Sequence, residues 1–408
     1  MQTTQTTISA NDALAIIKQK IHPLKNQQTV ILPNALGKTL AEDVISPMNV
    51  PVYQNSAMDG YAFKAADIDA HSAENCLTIA GTAFAGTPFN QTLANGECVR
   101  IMTGAKIPEG ADTVIEQEKV TVKDNIIELT AALKAGQNVR HIGEDIARGS
   151  VVLAAGQVIG AAQLGVLASL GLASLKVRRK VRVAVFSSGD EIRSIGETLD
   201  GSQIYDSNRY TISAMLQDLG VEVIDMGVIP DNKEAISQAL IEGAQEADML
   251  ITSGGVSVGD ADYIKQCLDD LGETYFNKLH LKPGRPLTFG HINKTHFFGL
   301  PGNPVAVMVT FMYFVRPALK YLLGHTDIDL ARLRIPCMTN LRKLPGRTEI
   351  QRGILFNDEQ GLVVKTTGKQ GSGVLSSMSK GNCFIYLDHD SGSVSEGDKV
   401  VVHPFNMF

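Results

Sequence analysis

Hydrophobic and polar positions change their period several times along this chain, and each change marks a different kind of element. Near the start, Leu14, Ile17 and Ile21 form a stripe at helical spacing, with Ser9 placed to cap it and Asp12 in its first turn. Pro23 ends that helix. From Asn49 to Arg140, short apolar runs such as Leu77-Thr78-Ile79, Cys98-Val99-Arg100-Ile101 and Thr113-Val114-Ile115 alternate with turns such as Pro108-Glu109-Gly110. That text predicts a β-rich lobe. Beyond Gly143 the chain turns glycine- and alanine-rich, then helical over 161–170, and this segment is expected to return and pack with the first helix.

After a basic stretch at 176–180 the pattern alternates. Strands are predicted over 181–186, 221–226 and 249–251, and helices over 207–219, 231–245 and 262–271. The alternation predicts a parallel sheet flanked by helices, with ligands outside the carboxyl ends of its strands. From Arg332 to Phe408 the text is β again, with turns at Asp390-Ser391-Gly392 and Glu396-Gly397-Asp398, and reads as a small barrel or sandwich.

Composition narrows the functional classes. With 408 residues the chain is too long for one ordinary core, and two to four domains are expected. A net charge of -6 argues against a nucleic-acid partner, which would need a basic face. The five cysteines are scattered with no C-x-x-C pair, which disfavours disulfides or zinc and fits a reducing cytoplasm. No signal peptide is read at the N-terminus. The longest apolar run, 305–315, is interrupted by Arg316 and Pro317 and reads as a buried helix rather than a membrane span.

The candidate chemistry sits in loops. Residues 252–262 follow the apolar run Met249-Leu250-Ile251 and contain Ser253, Gly254, Gly255, Ser257, Asp260 and Asp262. A glycine-rich turn between strand and helix lets backbone N–H groups approach an anion. Aspartates just after it suit a phosphate that arrives with a divalent cation. Glu191 and Asp231 fall in the two other loops at the same sheet edge. Asp231 with Glu234 also reads as a capping box, and both readings stand. Lys278, His280 and Lys282 alternate, which on a strand puts them on one face, with Arg285 in the turn after them. They suit an oxyanion, or equally a lysine-protected edge strand. Pro301, Gly302 and Asn303 lead into a helix with Asn303 as cap and Pro304 as first residue. By spacing alone Asp59 and Asp145 are turn residues. No Ser/His/Asp arrangement stands out, so metal-assisted chemistry is favoured over a nucleophilic route.

Taken together, the ordered strings resemble one family. They are Asn55-Ser56-Ala57-Met58-Asp59-Gly60-Tyr61-Ala62, Arg100-Ile101-Met102-Thr103-Gly104-Ala105, Val139-Arg140-His141-Ile142-Gly143-Glu144-Asp145, Ser188-Gly189-Asp190-Glu191, Asp206-Ser207-Asn208, residues 252–262, Lys282-Pro283-Gly284-Arg285-Pro286, residues 299–304, Gly371-Ser372-Gly373 and Gly381-Asn382-Cys383. The chain resembles the MoeA-type molybdopterin molybdenumtransferases, related to the E domain of gephyrin.

The resemblance implies a multidomain α/β plus β architecture. Its parts are a mixed N-terminal domain (1–48 and 141–178), a β-rich lobe (49–140), an α/β molybdopterin-binding domain similar to the adenylyltransferases (179–328) and a C-terminal β-barrel domain (329–408). It implies an elongated homodimer, with molybdopterin adenylyltransferase and molybdoenzyme-maturation proteins as further partners, and neither nucleic acid nor membrane. The implied reaction takes adenylylated molybdopterin and molybdate, inserts molybdenum at the dithiolene and releases AMP with Mg²⁺. By the same resemblance, Glu191, Asp231 and Asp262 organise the cation on the pyrophosphate. Ser253, Gly254, Gly255 and Ser257 hold the phosphate or pterin side. Lys278, Lys282 and Arg285 attract molybdate or pyrophosphate, beside Pro301, Gly302 and Asn303. Arg352 and Ser372 complete an oxyanion pocket. Asp59, Thr103, Arg140 and Asp145 act from the other subunit. Ala306 stands where some relatives are expected to carry serine, so no hydroxyl is available there. Two other classes remain open at this point. An adenylyltransferase would read Gly-Gly-Thr-Gly where this chain has Gly254-Gly255-Val256-Ser257, and a non-catalytic scaffold would need an exposed groove.

Overall fold

A computed structural model describes residues 7–68, 75–129, 133–255, 263–359 and 361–405. Its centre is a six-stranded sheet in the order Glu222–Ile229, Arg182–Ser188, Met249–Ser253, Thr295–Leu300, Pro286–Ile292 and Glu273–Lys278. The first four strands are parallel and the last two join antiparallel. The inner strands are mostly apolar and buried because helices cover both faces. Val183, Val185, Met249, Ile251 and Phe298 face one helical layer, and Ala184, Phe186, Leu250 and Phe297 face the other. Each large side chain so buried contributes on the order of 1.5–3 kcal/mol.

The longer helices are α1 (Ala10–Lys20), α2 (Ala161–Ser169), α3 (Ser207–Asp218), α4 (Lys233–Glu246), α5 (Tyr263–Leu271) and α6 (Pro304–Leu322), with a short one at Ser376–Lys380. Helices α1, α3 and α6 cover the first face, and α4 and α5 the second. Ser9 caps α1 as expected, accepting from the Asp12 N–H at 3.1 Å. The partner of α1 differs from expectation. Ala13, Ile17 and Ile21 pack against α6 in the central core, whereas α2 belongs to a separate small core with Ala35, Leu40 and Val177. A stripe of four-residue spacing defines a buried face but not what covers it. The 141–178 segment does return beside the N-terminal strands: Gln27–Ile31 pairs with Ser174–Arg178, and Val44–Ile45 with Val151–Leu153.

The 305–315 run is a buried helix, as its sequence reads, and α6 continues through Arg316 and Pro317. The helix runs 19 residues, with a π-helical turn at Phe311–Val315 just before the proline. That turn shifts the hydrogen-bond register where a donor is missing. By length and composition α6 could cross a membrane, but 67% of its apolar window is buried inside the protein, and it serves here as a core helix.

The lobe is a six-stranded sheet spanning Gly60–Phe63 to Ile126–Leu129. In the C-terminal region Thr348–Asp358 pairs with Gly361–Thr366 on one side and Cys383–Leu387 on the other, followed by Lys399–Pro404 and Leu333–Pro336. A bridge from Cys337 to Val364 closes the circuit, which makes it a barrel. The expected run of Lys278, His280 and Lys282 on one strand is interrupted. Lys278 ends the last strand of the central sheet, while Leu281–Lys282 pairs with Thr348–Glu349 of the barrel. The chain changes sheets at this point because Leu279 and Leu281 are both buried where the two sheets meet.

Candidate active site

In the central sheet the chain goes from Arg182–Ser188 to the strand on one side of it, then to the strand on the other side. Such a switch point opens a crevice at the carboxyl ends of the strands. A cavity of about 960 Å³ lies there, walled by the sheet's loops on one side and by the barrel on the other. Glu191, Asp231, Ser253, Gly254, Gly255, Lys282, Arg285, Pro301, Gly302, Asn303 and Ser372 all line it. Ser257 and Asp262 lie outside the described residues.

The sheet side is built for close approach of backbone. Gly254 has φ +85°, and a Cβ there would stand 2.3 Å from the Ser188 carbonyl oxygen. Only glycine allows this loop to press against its neighbour. Ser188 is buried and donates its hydroxyl to Asp231 Oδ1 at 3.2 Å. Asp231 is not a capping residue: α4 begins at Lys233, and Asn232 caps it by accepting from the Ala235 N–H at 2.9 Å. Its carboxylate therefore faces the cavity rather than its own helix. The cap of α3 is Asp206, which accepts from the Arg209 N–H at 3.0 Å and from the Ser187 hydroxyl at 3.1 Å. Among the described residues no three His, Cys, Asp or Glu side chains stand close enough to hold a metal by themselves.

The barrel side carries the cations. Lys282 Nζ is 3.2 Å from Glu349 Oε2, and Gln351 donates to Glu349 Oε1 at 2.9 Å. Arg285 and Arg347 also line the cavity. Arg352, expected as an anion ligand, is fully buried and does not line it. Its guanidinium donates to Ser377 Oγ at 3.0 Å and to the carbonyls of Lys369, Gln370 and Gly371 at 3.0–3.3 Å. Burial lowers its pKa from the usual arginine value, and Glu349 opposes that shift. Arg352 thus fixes the loop that presents Ser372, without facing the ligand space itself.

Five further expected residues stand away from the cavity. Lys278 ends its strand outside the lining. Asp59 Oδ1 accepts from both the N–H and the hydroxyl of Thr103, each at 2.7 Å. The backbone N–H of Thr103, then its hydroxyl, hold the Asp59 carboxyl below its ordinary value. Arg140 lies in a two-residue ladder with Asn55, and the Asp145 N–H donates to the Val50 carbonyl at 3.1 Å. Within one chain, none of these five residues lines this cavity.

Sequence reading did not single out Asn208 or Arg347. Asn208 was visible only as part of Asp206-Ser207-Asn208, just inside a helix start. A signal for Arg347 existed: Pro-Gly-Arg occurs at both 283–285 and 345–347. Both glycines have left-handed φ, +102° and +103°, and both arginines reach the cavity.

Comparison with known proteins agrees across the whole chain. Residues 8–171 match the MoeA N-terminal region (domains I and II), 184–321 a probable molybdopterin binding domain, and 334–405 the MoeA C-terminal region (domain IV). A molybdopterin molybdenumtransferase from Haemophilus influenzae is 44% identical over 92% of this chain and 93% of its own. A gephyrin from Dictyostelium discoideum is 30% identical over 97% of this chain and 62% of its own length. The crystal structure of a molybdopterin biosynthesis moeA protein from Pyrococcus horikoshii OT3 superposes with a TM-score of 0.85 at 26% identity, covering 98% of this chain and all of that one. The chain belongs to the MoeA-type molybdopterin molybdenumtransferases, enzymes of molybdenum cofactor biosynthesis.

Proposed function

We propose that the cavity binds adenylylated molybdopterin and molybdate, inserts molybdenum at the dithiolene and releases AMP. The observation that carries this reading is what lines the one cavity: Glu191, Asp231 and the glycine loop at the sheet's carboxyl edge, with Lys282, Arg285 and Arg347 from the segments where sheet and barrel meet. Gly254 and Gly255 offer close backbone approach to a phosphate, whereas at the start of α6 Pro304 has no N–H and the Val305 N–H is taken by the Ser372 carbonyl at 3.2 Å. Lys282, Arg285 and Arg347 draw in the oxyanion and neutralise charge that develops on the leaving phosphate.

Glu191 and Asp231 fit Mg²⁺. Both are hard oxygen donors, and Mg²⁺ commonly takes one or two carboxylates and completes its shell with substrate phosphates and water. Glu191, Asp231 and, by resemblance, Asp262 would hold it, and it would supply electrostatic stabilisation of the pyrophosphate. Ser188 orients Asp231 through its hydroxyl.

The reading includes a homodimer in the cytoplasm, whose second subunit brings Asp59, Thr103, Arg140 and Asp145 to the site. What supports the dimer is that these matched residues lie off the cavity within one chain. The free cysteines suit a reducing compartment.

The test is AMP release from adenylylated molybdopterin with and without molybdate and Mg²⁺. Release that depends on molybdate supports the reading, and tight binding without release under any condition overturns it. The shared site has its own test. Mixing the inactive variants D59A and E191A should restore about a quarter of wild-type activity through mixed dimers. Absence of complementation removes the cross-subunit part.

A further inference from the structure

The strands Met249–Ser253 and Thr295–Leu300 are paired side by side up to Ser253 and Leu300, and then their continuations part. The glycine loop leaves toward α5 on one face of the sheet, and Pro301-Gly302-Asn303 leaves toward α6 on the other. The sheet ladder stops where the loops diverge, so it cannot set the width of the crevice between them. A side chain from a third element spans that gap. Asn208, in the first turn of α3, donates its Nδ2 to Ser253 Oγ at 2.8 Å and to the Gly302 carbonyl at 2.8 Å. A carbonyl can only accept, so Gly302 fixes which way the amide faces.

Two details argue for more than packing. The Ser253 hydroxyl donates toward the Pro301 carbonyl at 3.4 Å, and Ser253 is buried. Its hydrogen thus ties the same two loops together, rather than pointing at a ligand. Asn208 Oδ1 is buried with no partner among the described residues. An orphaned buried acceptor is unfavourable, and a side chain chosen for stability alone would avoid it.

We propose that Asn208 is a positioning residue for the transfer reaction. It clamps the end of the strand that carries the glycine loop to the turn before α6, and so fixes the separation of the two loops that line the cavity. This rests on the function proposed above. Its amide donor is spent on the two loops although the residue lines the cavity, so it acts through their separation.

The test uses the full-length protein with adenylylated molybdopterin and molybdate, reading AMP release in N208A, N208D and S253A. Misplacing donors by about 1 Å costs on the order of 10²-fold, so N208A should lose about 10- to 100-fold in kcat/KM, mostly in kcat. The carboxylate of N208D has the same shape but no hydrogen to donate. Protonation returns one donor, so N208D activity relative to wild type should rise as the pH is lowered toward about 5. The double variant N208A/S253A should be little worse than N208A, because both act through one clamp. The inference is overturned if N208A and N208D turn over like wild type. It is equally overturned if their losses follow only a fall in thermal stability, with no recovery of N208D at low pH. A wild type that releases no AMP overturns the functional reading, and the inference with it. A normal wild type with normal variants overturns the inference alone.

Discussion

The carboxyl edge of the central sheet and the turns of the β lobe both present aspartates beside glycines, yet they use them differently. In and just beyond the lobe the carboxylates are spent on backbone: Asp59 is engaged by the N–H and hydroxyl of Thr103, and Glu144 by the His141 N–H at 2.7 Å. At the sheet edge Asp231 leaves capping to Asn232 and turns its carboxylate to the cavity, held by a single serine. A loop acid becomes available for chemistry when a neighbour takes over its structural duty. That distinction cannot be read from the acid and its glycine alone.

The comparison can be broken in stages. The largest effect is expected from Arg352, which holds three carbonyls and a hydroxyl on the barrel side. R352A would leave several buried acceptors unpaired and lower stability by about 3 kcal/mol or more, seen as a clear fall in the thermal midpoint. A variant melting like wild type would return Arg352 to a ligand role. Next, G254A must fit a Cβ 2.3 Å from the Ser188 carbonyl at φ +85°. It should lose about 10²-fold in kcat/KM while the lobe stays intact. Unchanged turnover would mean that the loop is not pressed against Ser188 during catalysis.

Acid should separate the regions next. Burial, followed by the charge of Arg332, lowers the His403 pKa to about 4, against 6.5 ordinarily. The unfolded chain therefore takes up the proton first. The stability held by neutral His403 is complete above about pH 6.5 and falls as the pH drops toward 4, by about 1–2 kcal/mol at pH 5. Asp59 is shifted the other way relative to its duty. Its carboxylate lies below 3.8, so its contribution is present above that value and is lost only as pH falls through the lower folded value. Hydrogen exchange corrected for pH should show the barrel loosening at pH 5 while the Asp59–Thr103 turn keeps its protection. H403Q should flatten the change in the barrel. The smallest effect belongs to the Lys119–Glu116 pair in the lobe, whose lysine is exposed and whose glutamate is half-buried. K119A should alter stability by less than about 0.5 kcal/mol, and a larger change would show that the lobe surface is tied into something else.

Much of the fold was legible because period and burial are linked. The alternation after 180 foretold the parallel sheet, and the edge rule located loops that converge on one cavity. The failures share a cause. Which face α1 covers, whether Arg352 points in or out, and where Lys278 and Lys282 part company depend on partners distant in sequence. A positive charge in a β-rich segment looks the same whether it serves a substrate or three carbonyls. Asp231 was ambiguous because Asn232, one position later, is also a good cap. Asn208 was overlooked because its two acceptors lie 45 and 94 residues away.

The two-residue pairing of Leu281–Lys282 with Thr348–Glu349 stitches the barrel to the central sheet inside the cavity wall itself. Lys282 hangs from one side of that seam and its anchor Glu349 from the other. The barrel is therefore no interchangeable module appended by a linker. A shuffled or truncated descendant that kept the sheet but lost the barrel would inherit half a binding site, and the two parts are bound to diverge together.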